Sequence, residues 1–347
     1  MRIAVIGGGV VGLSATAALL RRGADVRCYE AGEPMGERSA GDTRIFRLAH
    51  TFPDMVELAG RSRALFADWS GRSGTPLIDE VGTVVSGPEV ANWAAAMATA
   101  GAAHEMVEPG SPLLRLPAAT FAGPALIDPA GGVIRVDRIR AFLVAAVADR
   151  LRAAHVDAVE EIASGVRIHA GRDVDVFDAA LICAGAGTPA LAAGVGIEAP
   201  AALEHHLRVS FPIRPGAPEP LQCWITGDTY QHLAAPGTWA VGADVDPALV
   251  SWAGGRPAAE RASREVLIAY ATEHLPFVEP RPVAEVYCTH DPALGDGLQF
   301  ARNGRVLATY GENLMKFAPL LGDLLAQSCL DGSTPADAGP NAARGAS

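Results

Sequence analysis

Lysine is all but missing from this chain. Of its 28 lysine and arginine residues, only Lys316 is a lysine. A net charge of −11 without any basic block argues against nucleic acid as the main partner. Cysteine is sparse and unpatterned: Cys28, Cys183, Cys223, Cys288 and Cys329 are odd in number and show no C-x-x-C spacing. Neither a zinc site nor a disulfide framework is indicated, and a reducing, cytoplasmic setting is expected. No run of about 18 uncharged apolar residues occurs, so no spanning helix and no membrane partner are expected. The start MRIAVIGGGVVG lacks a basic leader region and reads as a first strand, not as a signal peptide. Apolar residues, by contrast, make up 49% of 347 residues, enough for two well-buried domains. The surplus of Ala, Gly, Arg and Pro resembles a GC-rich coding bias. Such a bias makes lysine rare; it does not explain why the one survivor stands in GENLMKFAP, residues 311–319.

Residues 2–6 (RIAVI) form a short apolar run suited to a buried parallel strand. GGGVVGLSATAALLRRG follows, with Val11, Ala15, Ala18 and Leu19 at helical spacing and Gly23 as a stop. DVRCYE (25–30) is the second strand, which completes one βαβ module. Residues 33–47 read as a loop. Helices are expected at 54–70, 89–101 and 134–155, short strands within 78–86, and a small β-meander over 156–176. DAALICAGAGTPAL (178–191) is another buried strand running into a glycine turn. LRVSFPI, QCWITGD, TWAVGADV and AEVYCTH, with one helix near 258–274, predict an antiparallel sheet between about 206 and 290.

The expected fold is therefore α/β and α+β: a Rossmann-like nucleotide-binding domain with a second, mainly antiparallel-sheet substrate domain. The boundaries read 1–85, 140–205 and 290–330 for the first and 86–139 and 206–289 for the second. A disordered tail is expected at 331–347.

Gly7-Gly8-Gly9-Val10-Val11-Gly12 fits G-x-G-x-x-G after a strand and at the opening of a helix. Gly7 permits the turn, Gly9 lets a pyrophosphate approach, and Gly12 lets helix and strand pack. Glu30 ends the second strand, 18 residues beyond Gly12, where a carboxylate accepts ribose hydroxyls. The fingerprint alone leaves FAD and NAD open. Gly185 and Gly187, after the later strand, would be delivered to the same crevice.

Together these segments resemble the D-amino-acid-oxidase-like FAD oxidoreductases, and more narrowly the monomeric sarcosine oxidase and N-methyltryptophan oxidase group. Four stretches carry the likeness: IAVIGGGVVGLSAT, GDTRIFRLAH (41–50), DAALICAGAG and ENLMKFAP. The resemblance implies FAD as cofactor, with Thr43 and Arg44 on the flavin side and Arg47 facing a substrate carboxylate. It puts Lys316 on the same carboxylate as a second cation, with Gly311, Asn313, Leu314 and Met315 beside the flavin. Val159, in the meander, is taken as a further cofactor-side position.

The chain departs from that group twice. The cysteine that attaches FAD in C-x-Y-T is replaced by Val286 in Val286-Tyr287-Cys288-Thr289, so non-covalent FAD is expected, with Cys288 two residues out of step. The lysine that assists oxygen reduction in G-x-K-x-G falls on Ala240, and the histidine four residues on becomes Asp244. The expected reaction is oxidation of the C–N bond of an amino or imino acid by hydride transfer to flavin. Oxygen or another acceptor then takes the electrons, in a monomer or small homo-oligomer. Asp244, Tyr230 and His232 are candidates for binding the amine. A flavin dehydrogenase or tailoring enzyme with low oxygen reactivity, an NAD-dependent dehydrogenase and a non-catalytic flavin-binding protein remain alternatives.

Overall fold

Arg2–Ile6 (β1) is apolar on both faces, and only a strand covered on both sides can use such a run. In the computed structural model, which describes residues 1–117, 122–200, 202–291 and 297–340, β1 lies inside a six-stranded sheet. The chain divides into two compact units. The first comprises Met1–Ala40, Asp137–Leu203 and Asp291–Ser347; the second comprises Gly41–Val136 and Glu204–His290.

The chain runs from β1 through helix α1 (Val10–Arg21) to β2 (Asp25–Glu30) and then leaves the first unit. The second unit opens with β3 (Thr43–Phe46), α2 (Pro53–Ser73), β4 (Ile78–Asp79) and β5 (Thr83–Ser86). It continues with α3 (Val90–Thr99), β6 (Glu105–Val107), β7 (Ala125–Asp128) and β8 (Gly132–Arg135). Helix α4 (Val136–Val147) leads back to the first unit and to β9 (Leu151–Ala153). There follow the meander β10 (Ala158–Ile162), β11 (Gly165–Ala170) and β12 (Asp173–Phe177), then β13 (Ala179–Ile182) and α5 (Thr188–Ala193). The second unit resumes with β14 (Glu204–Pro212), β15 (Cys223–Ile225), β16 (Thr229–Ala235), β17 (Thr238–Ala243), α6 (Pro247–Val250), α7 (Arg256–His274) and β18 (Ala284–His290). The first unit closes with β19 (Leu298–Asn303), β20 (Val306–Gly311) and α8 (Ala318–Asp331).

In the first unit the strand order is β19-β20-β13-β1-β2-β9, parallel except for the β19–β20 hairpin. Helices α1 and α8 pack closely, and Gly322 makes this possible: a Cβ there would lie 2.8 Å from the Ser14 carbonyl oxygen. Ala4, Ile6, Val166, Ile168, Ala180, Ile182 and Val306 form one core between sheet and meander. Each fully buried Val or Ile contributes about 1.5–3 kcal/mol. In the second unit an eight-stranded sheet runs β18-β14-β17-β16-β15-β5-β7-β6, antiparallel except for β15 with β5. Its core gathers Val209, Phe211, Trp239 and Val241 from the sheet and Leu267 and Leu275 from α7 and its end.

Three expectations are corrected. The helix expected over 134–155 ends at Val147, and Leu151–Ala153 becomes an edge strand that satisfies the open N–H and C=O groups of β2. Residues 41–85, expected with the nucleotide domain, belong to the second unit, because β3 pairs with β8 and β5 with β7 and β15. The tail is ordered as far as it is described: Ala338 and Leu298 exchange backbone hydrogen bonds, and Phe300 N–H donates to the Asp337 carboxylate. Residues 341–347, also expected to be disordered, lie outside the described residues.

Candidate cofactor and substrate sites

In the first unit the glycine turn has no room for side chains at two of its positions. A Cβ at Gly7, where φ is +107°, would lie 2.4 Å from the Cys183 carbonyl oxygen. One at Gly12 would lie 1.9 Å from the Gly7 carbonyl oxygen. Gly9 is different, since within 4 Å its Cβ would meet only Ser39 Oγ, at 3.4 Å. The space before the helix is open. Helix α1 begins with no side-chain cap from Gly9 and no acidic residue in its first turn. Val10 N–H donates to Ser39 Oγ (3.1 Å), and the Val10 and Val11 side chains are buried, leaving the backbone to face a ligand. A helix N-terminus with no cap from its own N-cap residue and no acidic first turn suits a pyrophosphate.

Glu30, at the end of β2, accepts from Gly8 N–H (2.6 Å) and Gly32 N–H (2.7 Å), one on each oxygen. Each oxygen keeps a lone pair for a ribose hydroxyl. Met35, at a positive φ of 59°, donates its N–H to the Gly8 carbonyl and so folds the loop after β2 back onto the glycine turn. Gly185 (φ +56°) opens the turn after β13, and a Cβ there would meet only Arg38 Cδ. The Val159 side chain belongs to the core, so only its backbone is available to a ligand. These residues fit a dinucleotide.

At the C-terminal end of the same unit, a Cβ at Gly311 would stand 2.3 Å from the Gly297 carbonyl oxygen. Asn313, in the left-handed region, turns the chain into the short 3-10 turn Leu314–Phe317 that leads α8. Met315 is buried in that turn. Lys316 is only 3% exposed, and its Nζ lies 5.5 Å from the centre of the Phe317 ring. Glu312 pairs with Arg38 and accepts from Asp291 N–H (2.7 Å). Burial pushes the Glu312 carboxyl up, and Arg38 opposes that shift. Arg38, Ser39 and Glu312 were not anticipated, since nothing local marks an ion pair spanning so much of the chain.

The second unit gathers other candidates around Thr43. Its carbonyl oxygen accepts from Arg44 Nη1 (2.9 Å) and Arg208 Nη1 (2.7 Å), and its hydroxyl is 2.9 Å from His232 Nε2. Burial, then the charge of Arg44, lowers the Arg208 guanidinium to about 10. His232 is pushed well below its ordinary value by burial and then by Arg208. His232 also has no accessible surface, and its Nε2 is engaged with the Thr43 hydroxyl. Arg47 is buried, stacks 4.6 Å over the Trp93 ring and donates to the Ala49 carbonyl. Asp128 braces the following loop by accepting from Leu48, Ala49 and Ala130 N–H groups.

Ala240 is fully buried opposite Ser210 and His232, and Val286 stands opposite Arg208. Cys288, half-buried and in no disulfide, stands opposite His206. Asp244, just beyond β17, donates its N–H to the Asp228 carbonyl, and its carboxyl is pushed up by burial and then by Asp228. Tyr230 Oη is 2.5 Å from His206 Nε2. His206 and Arg208 were also missed; the one available signal was the alternation of His206, Arg208 and Ser210 with Leu207, Val209 and Phe211.

A parallel-sheet unit with an open glycine turn and a ribose-ready carboxylate, in one chain with a mainly antiparallel unit, defines a dinucleotide-dependent protein of two-unit build. The chain belongs to the family DAO, FAD dependent oxidoreductase, whose model matches residues 2–328. It is accordingly an FAD-dependent oxidoreductase, which decides between the two cofactors that the fingerprint left open. Among solved structures it is similar to NikD, described as an unusual amino acid oxidase essential for nikkomycin biosynthesis. That match has 21% identity, a TM-score of 0.81, and covers 95% of this chain and 94% of NikD. It is also similar to glycine oxidase from Geobacillus kaustophilus, with 19% identity, a TM-score of 0.74 and 96% of each chain covered. L-proline dehydrogenase from P. horikoshii matches at 16% identity and a TM-score of 0.76, over 96% of this chain and 94% of that one. At these identities the likeness establishes the fold. No curated protein matches the chain. No helix among the described residues is long and apolar enough to cross a membrane.

Proposed function

We propose that the protein oxidises the C–N bond of an amino or imino acid, with a substrate carboxylate held by Arg47 and Lys316. The observation that carries this reading is the state of Lys316: the only lysine in the chain is kept, and kept buried. Burying an ammonium has a desolvation penalty of several kcal/mol, which a purely solvating residue would avoid. A guanidinium grips one carboxylate edge in two places, and an ammonium adds a point charge from another direction. The amino acid oxidases and the proline dehydrogenase of the same fold are consistent with a substrate of this class.

FAD, held without a covalent bond, would supply the two-electron acceptor. Gly7, Gly9 and Gly12 would admit its pyrophosphate to the start of α1, Glu30 would take its ribose, and Val159 and Gly185 would present backbone to it. Thr43, Arg44 and the Gly311–Lys316 turn would lie on its flavin side. Asp244 and Tyr230 offer oxygen acceptors to the amine. The narrower likeness to sarcosine oxidases points to a secondary amine as the first substrate to try. An anaerobic screen of primary and secondary amino acids for bleaching of the flavin colour tests this reading. Bleaching by none of them would refute it.

A second reading, a dehydrogenase that reacts slowly with oxygen, is favoured by Ala240, which fills the position where the resembling oxidases carry lysine. Reoxidation of the reduced enzyme in air within seconds would reject it.

A further inference from the structure

The sheet of the second unit carries one polar face that the proposed reaction leaves partly unused. Cross-strand partners share a face, so the register Arg208↔Gly242↔Tyr230 and His206↔Cys288 places these positions together. The Tyr230 ring does not stand up from this face. It lies across β17 at Gly242, where a Cβ would be 2.1 Å from Tyr230 Cζ, so only glycine lets it pass. Crossing there brings it to β14, with Oη 2.5 Å from His206 Nε2 and the two rings stacked, centroids 5.8 Å apart and 24° between planes. Both residues keep some accessible surface.

The surroundings fix the charge of this pair. From β14 it is faced by Arg208, from β3 by Arg44, from β18 by Cys288 and by His290, whose Nε2 lies 3.2 Å from the Glu204 carboxylate, and beyond β17 by Asp244. Burial, followed by His290, Arg208 and Arg44, holds the imidazole down to about 3. Burial, followed by Cys288, pushes the phenol up, against Arg208 and Arg44. A neutral phenol therefore meets a neutral imidazole, and one proton lies between them. The phenol O–H is the stronger acid and the imidazole nitrogen the stronger base, so the hydroxyl donates.

The geometry points to His206 as a positioning residue: it accepts the Tyr230 hydroxyl proton and so fixes the phenol oxygen as an acceptor for an N–H of the substrate amine. The inference rests on the amino- or imino-acid reading above and specifies how the amine end is told from an isostere without N–H. With its proton committed to His206, the phenol oxygen has only lone pairs to offer elsewhere. A ligand atom that is itself an acceptor is then repelled.

The test uses the FAD-loaded enzyme and two ring carboxylates of one shape, pyrrole-2-carboxylate with an N–H and 2-furoate with an ether oxygen. Binding is read from the change in the visible flavin spectrum. The wild type is expected to favour the pyrrole by about tenfold, the value of one hydrogen bond of about 1.4 kcal/mol. Tyr230→Phe and His206→Leu should bring the ratio near one, while His206→Gln, whose amide oxygen accepts the same proton, should restore part of it. A merely structural His206 would weaken both ligands alike. Equal affinity in the wild type, no binding of either, or an unchanged ratio in His206→Leu overturns the inference. Nitrogen NMR of the histidines supplies a ligand-free readout: Nε2 of His206 should be unprotonated and should shift in Tyr230→Phe, and a protonated Nε2 also overturns it. Failure of every amino acid to bleach the flavin would strike the reading of the reaction instead, and would leave both of these measurements standing.

Discussion

Replacing Gly12 and Gly9 one at a time separates what the glycine turn does for the fold from what it does for the cofactor. A Cβ at position 12 would lie 1.9 Å from the Gly7 carbonyl oxygen, where a carbon–oxygen contact needs about 3.3 Å. Helix α1 and its own turn would have to part by roughly 1.4 Å, against a core in which Leu13, Ala15 and Leu19 are fully buried. Overpacking of backbone against backbone costs about 3 kcal/mol or more. For a unit of this size that is on the order of 6–12 °C in Tm. At position 9 the new Cβ meets only Ser39 Oγ at 3.4 Å, and Gly9 has an extended backbone (φ −71°, ψ 179°) that alanine also adopts. Loss of glycine at a helix start should lower stability by under about 1 kcal/mol. Its methyl, however, enters the open space before the helix N–H groups. Thermal melts of both apoproteins, with FAD titrated by quenching of its fluorescence, should show Gly12→Ala melting early. Gly9→Ala should melt close to wild type but bind FAD at least about tenfold more weakly. The reasoning fails if Gly12→Ala melts with the wild type, or if Gly9→Ala binds FAD normally.

Lys316→Met and Arg47→Met should each raise KM for a carboxylate substrate by about 10- to 100-fold while FAD stays bound, in steady-state kinetics with the visible spectrum as control. Unchanged KM in both would remove the carboxylate clamp. Asp244 has a folded pKa above its unfolded value, so its contribution to stability is complete only below the unfolded value. That contribution is lost as pH rises through the folded pKa. Asp244→Asn should therefore raise Tm at pH 7 and leave it unchanged near pH 3; the opposite ordering in a pH series of melts would contradict the assigned burial. Arg38→Met strands the Glu312 carboxylate in its buried position, and should lower Tm by more than the double variant Arg38→Met/Glu312→Gln.

Charge sets the character of the second unit's polar face as much as shape does. Arg208 is 5% exposed, and among the described residues its Nε has no hydrogen-bond partner. Its Nη1 shares the Thr43 carbonyl with Arg44, so two guanidinium groups converge on one oxygen. Burial first, and these two cations after it, keep His206 and His232 neutral, and the cations favour an anion or a lone pair nearby. The substituted position, Ala240, sits on this same face between Ser210 and His232. The chain therefore lacks a lysine there without lacking positive charge on that face.

How much was legible in the residues divides along the range of the forces involved. The β1–α1–β2 module, the glycine turn and Glu30 were readable because each rests on neighbours in the chain: a short apolar run, backbone sterics at Gly7 and Gly12, a helix that opens with no cap from its own N-cap residue. The helix expected near 258–274, found as Arg256–His274, and the strand Ala284–His290 were similarly legible from local pattern. The short strands β7, β8, β9 and β16 were not, since three to seven residues carry too little periodicity to outvote their surroundings. Only pairing with a distant edge decided them, and the same pairing carried residues 41–85 into the second unit, where Cys223–Ile225 runs beside Thr83–Val85. The sites divide in the same way. Lys316 was marked by composition, and Thr43 and Arg44 by their motif. Arg38–Glu312, Arg208 on Thr43 and His206 on Tyr230 exist only in the fold, because a hydrogen bond needs its two atoms within about 3 Å and sequence spacing does not constrain that distance between remote segments.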